Sequence, residues 1–191
     1  MNPPKVWGSS WQLGDILSMQ TREEIAGLLD GRFDETVTWF AQRPEAAFGK
    51  GPAGKWTEGQ VVDHLILSTR PLNLALRLPR VALKMRFGTA KAPSEPLEHL
   101  AARYEAALKA GGKAPKDFVP PAVAVEDKAR LLDELREQGR KLVKVVGDWD
   151  EADLDRYVLP HPLLGNLTIR NMLQFSYYHM QHHLDILKRD Y

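Results

Sequence analysis

Residues 168–190 read TIRNMLQFSYYHMQHHLDILKRD, and residues typical of a protein core recur there every three to four positions. This spacing predicts an amphipathic helix that begins after Thr168 and buries the face carrying Ile169 and Leu187. The same face carries His179 and His183, at positions where leucine or isoleucine would be expected. A helix with one apolar face needs other elements to cover it.

Two further helices are indicated by capping-box spacing followed by an apolar stripe. Thr21 and Glu24 stand three residues apart at the start of the first helix, which we expect to stop at Pro44. Thr57 and Gln60 have the same spacing at the start of the second helix. In a capping box these two side chains satisfy backbone N–H groups of the first turn, so both sites predict a helix start.

A third helix is predicted at roughly residues 127–146, where leucine and valine recur with helical spacing and Gly147 provides a stop. In the second helix, Pro71 should cause a kink or a restart. Near the start of the fourth helix, Arg170 and Asn171 are expected to be exposed. Four amphipathic helices in one modest chain predict an all-α fold, a four-helix bundle.

The bundle fits a single domain over residues 1–191, with a core of about residues 20–190, because 191 residues leave little room for a second core. Residues 81–125 interrupt the helical pattern with prolines and a Gly-Gly pair. We interpret them as a long crossover that lets the second and third helices run side by side, and as a lid over a pocket.

Shorter predictions concern the segments between the long helices. Residues 95–110 predict an extra helix within the crossover, with Ser94 as its cap. Residues 157–166 alternate in character and contain two prolines and a glycine, so we expect an extended loop. Trp7 and Trp11 should pack onto the bundle, and Trp56 should act as a hydrophobic staple at the start of the second helix.

The composition excludes several classes of function. The 26 basic and 25 acidic residues give a net charge of +1, which removes the bulk electrostatic case for a nucleic-acid-binding protein. The absence of cysteine excludes disulfides, thiolate metal sites and cysteine nucleophiles. No signal peptide and no membrane span is predicted, so we expect a cytoplasmic protein without a membrane partner.

The histidines carry the main functional signal. His179 and His183 stand four residues apart, which places both imidazoles on one helix face, as chelation of one metal ion requires. His64 also falls on the apolar face of its helix. Three inward histidines on two helices of a bundle predict a three-nitrogen metal site with an open position, the pattern of a catalytic centre. The alternative is that each is a hydrogen-bonded core histidine.

Other residues are candidates for the surroundings of this site. His161 precedes the fourth helix and is expected either to face the site or to serve a turn. Tyr178 stands next to His179 and is a candidate to flank the pocket. Arg70 lies close to two turns beyond His64 and belongs to a basic cluster, interpreted either as a solvated face or as a rim that attracts an acidic co-substrate. His182 is expected at the helix flank.

The sequence offers no general base beside the proposed ligands. Met180 stands where a zincin requires glutamate, directly after the first histidine of the pair. Asp63 and Asp185 are near in sequence but should point to other faces of their helices. If the protein is an enzyme, the metal itself is therefore the expected activator, either of water or of a thiol.

At these residues the chain resembles the DinB-like superfamily of four-helix-bundle metalloproteins, also called the DinB/YfiT family. Members place one histidine on the second helix and an H-x-x-x-H pair on the fourth, which map onto His64, His179 and His183 without departure. The resemblance covers roughly residues 20–190, although residues 81–125 are longer than expected of a minimal member. The matching segments are Lys55-Trp56-Thr57, Val61-Val62-Asp63-His64-Leu65, His161-Pro162-Leu163-Leu164-Gly165-Asn166-Leu167-Thr168, Tyr178-His179 and His183-Leu184.

The resemblance implies one divalent metal ion, zinc or nickel, and a homodimer. It also implies an enzyme that uses a low-molecular-weight thiol such as bacillithiol, mycothiol or glutathione. We therefore expect a thiol-dependent S-transferase whose partners are a small thiol and an electrophile. The alternatives are a hydrolase that uses metal-bound hydroxide, a non-catalytic metal-binding or stress-response bundle, and a bundle whose histidines are purely structural.

Overall fold

The computed structural model describes Met19 and residues 21–191, so the expected packing of Trp7 and Trp11 lies outside the described residues. This part of the chain is helical apart from one small antiparallel sheet and its connections. The elements are α1 (Arg22–Gln42), α2 (Glu45–Phe48), α3 (Glu58–Leu76), α4 (Arg80–Phe87), α5 (Leu97–Lys109), α6 (Lys128–Gly147), α7 (Glu151–Arg156), β1 (Val158–His161), β2 (Gly165–Thr168) and α8 (Ile169–Asp190). The all-α prediction is confirmed.

Both predicted capping boxes are present and start two of the four long helices, α1 and α3. At α1, the Glu24 backbone N–H donates to Thr21 Oγ1 at 3.3 Å, and the Thr21 N–H donates to Glu24 Oε2 at 2.8 Å. At α3, Thr57 and Gln60 make the same reciprocal pair at 3.1 and 3.0 Å. Each box satisfies N–H groups that a helix start would otherwise leave unpaired.

Side-chain contacts fix the directions of the long helices. Arg70 and Asn73 of α3 meet Glu134 and Gln138 of α6 in the same order along both helices, so α3 and α6 run parallel. The long crossover between them is therefore present as predicted. The start of α1 lies by the end of α6, where Arg22 Nη1 donates to the Trp149 carbonyl at 2.6 Å, so these two helices run antiparallel.

The contact between α1 and α6 is close at one glycine. A Cβ atom at Gly139 of α6 would lie 2.5 Å from Cγ and 2.9 Å from Cβ of Phe33 on α1. Phe33 is 4% exposed, so its ring is enclosed within the core. Gly139 thus lets the two helices approach more closely than any other residue would allow.

The sequence predicted either a kink or a restart of the second helix at Pro71. Helix α3 does not restart there but continues to Leu76. A proline inside a helix cannot donate to the carbonyl four residues earlier, here that of Leu67. The residues that follow it, Leu72 and Leu76, are 6% and 1% exposed. Their burial in the core holds the last turn in helical form.

The crossover is more structured than the sequence predicted. It contains α5, which confirms the extra helix expected at residues 95–110, and also α4, which was not predicted. Ser94 is not the cap of α5, which begins after Pro96 without a side-chain cap. The Ser94 hydroxyl instead hydrogen-bonds Asp155 and lies 2.6 Å from Thr168 Oγ1. Ser94 therefore serves contacts with residues distant in sequence rather than the start of α5.

The extended segment expected at residues 157–166 is extended but forms a hairpin rather than a loop. Strand β1 pairs antiparallel with β2, with Val158 opposite Thr168 and His161 opposite Gly165. Gly165 has a φ of +75°, a conformation that glycine adopts without strain and that closes the turn. The hairpin leads directly into α8.

The predicted exposure of Arg170 and Asn171 is wrong, because both side chains are buried in the first turn of α8. Arg170 pairs with Asp155 at 2.8 Å and with Glu151 at 2.6 Å. Asn171 Nδ2 donates to the Glu95 carbonyl at 2.8 Å. Helix α7 and the crossover therefore cover the start of α8.

No helix in the described part of the chain combines the length and hydropathy that a membrane crossing requires.

Candidate metal centre

Helices α3 and α8 bring the three predicted ligands, His64, His179 and His183, to one point. The Nε2 atom of His179 lies 3.2 Å from Nε2 of His64 and 3.1 Å from Nε2 of His183. One nitrogen from each of the three residues lies within 4.8 Å of the others. His64 and His179 are buried and His183 is partly buried, so the three rings face one another inside the bundle.

The donor set fits a divalent cation. A tetrahedral zinc ion with Zn–N distances of about 2.0–2.1 Å holds its nitrogen ligands about 3.3–3.4 Å apart. The two measured separations of 3.2 and 3.1 Å are close to that value. Hydrogen bonding does not account for both contacts, since a neutral imidazole nitrogen offers one hydrogen or one lone pair, not two.

A backbone contact orients the first candidate ligand, His64. Nδ1 of His64 donates to the carbonyl oxygen of Phe118, with a nitrogen–oxygen distance of 2.7 Å. This hydrogen bond fixes the hydrogen on Nδ1 and leaves the lone pair of Nε2 directed at the other two histidines. Sequence reasoning missed Phe118, because a backbone carbonyl has no signal in the sequence.

The three rings are held in the neutral form that binds metals. Burial lowers the pKa of His64, partly offset by the hydrogen bond to Phe118. Burial also lowers the pKa of His179 and His183 well below the usual value, and the neighbouring imidazoles lower it further. Trp56 packs against this group, with ring centroids 4.8 Å from His64 and 6.4 Å from His183. Its position beside the ligands was not predicted.

A cavity of about 360 Å³ adjoins the three histidines. It lies between α3 and α8 and is lined mainly by apolar side chains. Residues 87, 104, 108, 114, 115 and 118 of the crossover line it, as do residues 159–163 of the hairpin. Much of the crossover therefore covers the cavity, in the position expected of a lid. Among the described residues, no aspartate, glutamate, lysine or arginine lines it.

His161 both lines the cavity and serves the hairpin turn, so the two roles proposed from the sequence coexist. Its Nδ1 accepts hydrogen bonds from the backbone N–H groups of Leu163 at 3.2 Å and Leu164 at 3.1 Å. Burial, with a smaller contribution from the positive charge of Arg103, lowers the pKa of His161 to about 4. The ring is therefore neutral at physiological pH.

The structure does not bring the other two candidates to the cavity surface. Tyr178 is buried next to His179, and its hydroxyl donates to Glu105 Oε1 at 2.6 Å. Burial and this hydrogen bond raise the pKa of the Tyr178 phenol. Arg70 pairs with Glu134 of α6, 3.2 Å away, and does not line the cavity.

His182 lies on the cavity wall and joins the same hydrogen-bond network. Its Nδ1 is 3.1 Å from Glu105 Oε1, and it is a cavity-lining residue. The hydrogen bonds from His182 and Tyr178 lower the pKa of Glu105 to about 2. Asp63 and Asp185 do not line the cavity. His99 is exposed on α5.

Comparison with known proteins gives the family. The chain is 27% identical over 173 residues to the uncharacterized protein YuaE of Bacillus subtilis (strain 168), a match that covers 89% of this chain and 90% of YuaE. The model of the DinB superfamily matches residues 17–187, which include all three clustered histidines and the cavity between α3 and α8. The chain therefore belongs to the DinB superfamily.

Proposed function

We propose that this protein is a metal-dependent enzyme that activates a low-molecular-weight thiol for attack on an electrophile, a thiol S-transferase. The observation that carries the proposal is the convergence of three imidazole Nε2 atoms at an apolar cavity that none of the described carboxylates lines. Three protein ligands leave a coordination position for a small molecule, and the cavity provides room for its reaction partner.

Each part of the chain has a defined role in this proposal. His64, His179 and His183 would hold the cation, and imidazole ligands suit both zinc and nickel. The Phe118 carbonyl keeps His64 in the tautomer that presents Nε2. A divalent cation bound there would favour the thiolate form of a coordinated thiol at neutral pH. Apolar side chains exclude water from the space where thiolate and electrophile would meet.

The cavity lining favours a thiol over water as the nucleophile. Hydrolysis needs a group that takes a proton from the attacking water, and in related metal sites a carboxylate commonly fills that role. Within the described chain no carboxylate lines the cavity, and Asp63 and Asp185 lie outside it. A metal-dependent hydrolase is therefore the second candidate, and a non-catalytic metal-binding protein is the third.

The metal is tested first, by plasma mass spectrometry on protein purified without a histidine tag. We expect about one equivalent of zinc or nickel in the wild type and in the His99→Ala control, which removes an exposed histidine. The metal should be lost in His64→Ala and in the double variant His179→Ala with His183→Ala. A wild type that holds no metal after incubation with zinc and nickel would overturn the proposal.

The thiol is tested on the cobalt-substituted protein. Addition of glutathione or bacillithiol should produce a thiolate-to-cobalt charge-transfer band in the near ultraviolet, and His64→Ala should not show it. A stoichiometric metal with no such band, together with hydrolysis of model esters, would favour the hydrolase. Tight metal binding without activity toward thiols or esters would favour the non-catalytic protein.

A further inference from the structure

The cavity extends from His64, His179 and His183 to the hairpin, where His161 lines it. We call the part beside His161 the hairpin end. The Tyr104 ring lies between the two, since its centroid is 6.2 Å from that of His161 and 6.2 Å from that of His179. The Phe175 ring connects the two ends, since its centroid lies 4.3 Å from that of His161 and 5.2 Å from that of His179.

The serine and threonine hydroxyl groups that line the cavity are committed to the backbone. Ser68 Oγ and Thr69 Oγ1 both donate to the carbonyl of Leu65, at 3.0 and 2.7 Å. Ser176 Oγ donates to the carbonyl of Met172 at 3.0 Å. These three hydrogens are therefore not offered to a ligand, although the oxygens can still accept.

His161 differs, because its contacts leave one donor for a ligand. Its Nδ1 accepts two backbone N–H groups, so the hydrogen of the neutral ring must sit on Nε2. Among the described residues, Nε2 has no hydrogen-bond partner, and it is not one of the buried side-chain atoms left unsatisfied. An accessible N–H group on a cavity-lining ring is a donor for whatever occupies the cavity.

We propose that the hairpin end of the cavity binds the electrophile as an uncharged, largely apolar molecule, and that the Nε2–H group of His161 donates to its acceptor oxygen. A ketone, aldehyde or ester carbonyl has the required chemistry. The proposal rests on the proposed function only in calling this molecule the electrophile. Binding would place its carbonyl one aromatic ring away from the metal ligands, so His161 is a substrate-binding and specificity-determining residue.

The charge of the lining side chains argues against the obvious alternative, an anionic ligand at the hairpin end. A carboxylate that leaves water for an apolar cavity needs a cation or several donors to offset its lost hydration. No lysine or arginine within the described chain lines this cavity. A neutral carbonyl needs only one donor, which His161 supplies.

Two variants of His161 separate its turn contacts from its contact with a ligand. In His161→Asn, the amide oxygen can occupy the place of Nδ1 and accept from the turn, but the distant N–H group is lost. In His161→Gln, the amide N–H group can reach the place of Nε2, but the acceptor for the turn is lost. His99→Asn is the matched control on an exposed histidine.

The probes are 4-phenylbutan-2-one and 3-phenylpropanoate, which have similar size and differ in charge. Their dissociation constants are measured by ligand-observed NMR on chelator-treated protein, so that direct coordination of oxygen by a metal does not contribute. We expect the wild type to bind the ketone at least about tenfold more tightly than the carboxylate. His161→Asn should weaken ketone binding about three- to tenfold, and His161→Gln and His99→Asn by less than about threefold.

Three results would overturn the proposal: no ketone binding by the wild type, equal or tighter binding of the carboxylate, or unchanged ketone binding by His161→Asn. Circular dichroism verifies that each variant is folded, and the comparison of ketone with carboxylate on the wild type keeps the test valid if the asparagine variant does not fold. Metal content is measured in parallel on untreated protein. A wild type that binds no metal would refute the proposed function but would not affect the ketone result. Failure of the proposed function and failure of this inference are therefore distinguishable.

Discussion

Substitution of Gly139 by alanine tests the closest contact in the bundle. A methyl group there would lie 2.5 Å from Phe33 Cγ and 2.8 Å from Cδ1, far inside the ordinary contact distance of about 3.4 Å or more. The atoms it meets belong to the base of the Phe33 side chain, which cannot rotate away as a flexible tip would. Helix α6 or α1 must therefore shift.

The magnitude follows from two opposing effects. Overpacking of a well-packed core costs about 1–3 kcal/mol, whereas alanine in place of glycine within a helix contributes about 1 kcal/mol of stability. Gly31 of α1 provides the matched control, because a Cβ atom there meets nothing within 4 Å. The helix effect is common to both variants, so the difference between Gly139→Ala and Gly31→Ala is the cost of the contact alone.

The assay is thermal unfolding followed by circular dichroism. For 191 residues the entropy of unfolding is about 0.4 kcal/mol/K, so 1 kcal/mol corresponds to about 2.5 °C in Tm. We expect the Tm of Gly139→Ala to lie about 3–8 °C below that of Gly31→Ala. The difference should shrink when Phe33 is alanine in both, because Cγ and Cδ1 are then absent. Equal Tm values for the two glycine variants would refute the close approach of α1 and α6.

Three further predictions concern the metal, acid stability and assembly. Zinc at one hundred times its Kd should raise the Tm of the wild type by about 7 °C and leave that of His64→Ala unchanged, as differential scanning fluorimetry would show. The pKa of Asp155 is lowered chiefly by a hydrogen bond from Arg170. The contribution of the ionised Asp155 to the stability of the fold is therefore present above about pH 4 and is lost as the pH falls through the lowered pKa. Asp155→Asn should therefore flatten the decline of Tm below about pH 5, and an unchanged decline would assign the acid sensitivity to other groups. Val81 and Met85 are 69% and 84% exposed, so we expect light scattering to show a homodimer. The charged variants Val81→Lys and Met85→Glu should convert this homodimer to a monomer. A monomeric wild type would contradict the expectation.

The features that were predictable from the sequence are those fixed by neighbours along the chain. The capping boxes at Thr21 and Thr57 join residues three apart, and both are present. The inward position of His179 and His183 follows from the apolar stripe of one helix, and His64 lies on the corresponding stripe of another. Local periodicity was therefore enough to place all three rings on faces that meet.

The features that were missed depend on contacts between distant segments. Arg170 looked exposed in a helical projection, but α7 supplies Glu151 and Asp155, which pair with it. Ser94 had the residue type of a helix cap, yet its hydroxyl is taken by Asp155 and Thr168. A helix pattern shows which side of a helix is apolar, but not which polar residues from elsewhere will cover the opposite side.

The division of the cavity between two parts of the chain has an evolutionary consequence. The three clustered histidines stand on the bundle helices, whereas the crossover and hairpin cover the cavity, and connecting segments change most readily among relatives. Descendants of one ancestral site can thus acquire new substrates by altering the cover while they keep the histidines. The hydrogen bond between His64 and the Phe118 carbonyl limits this freedom. Because this hydrogen bond uses the backbone, we expect a side-chain replacement at position 118 to leave it in place, whereas an insertion or deletion that moves the chain there should disturb the orientation of His64.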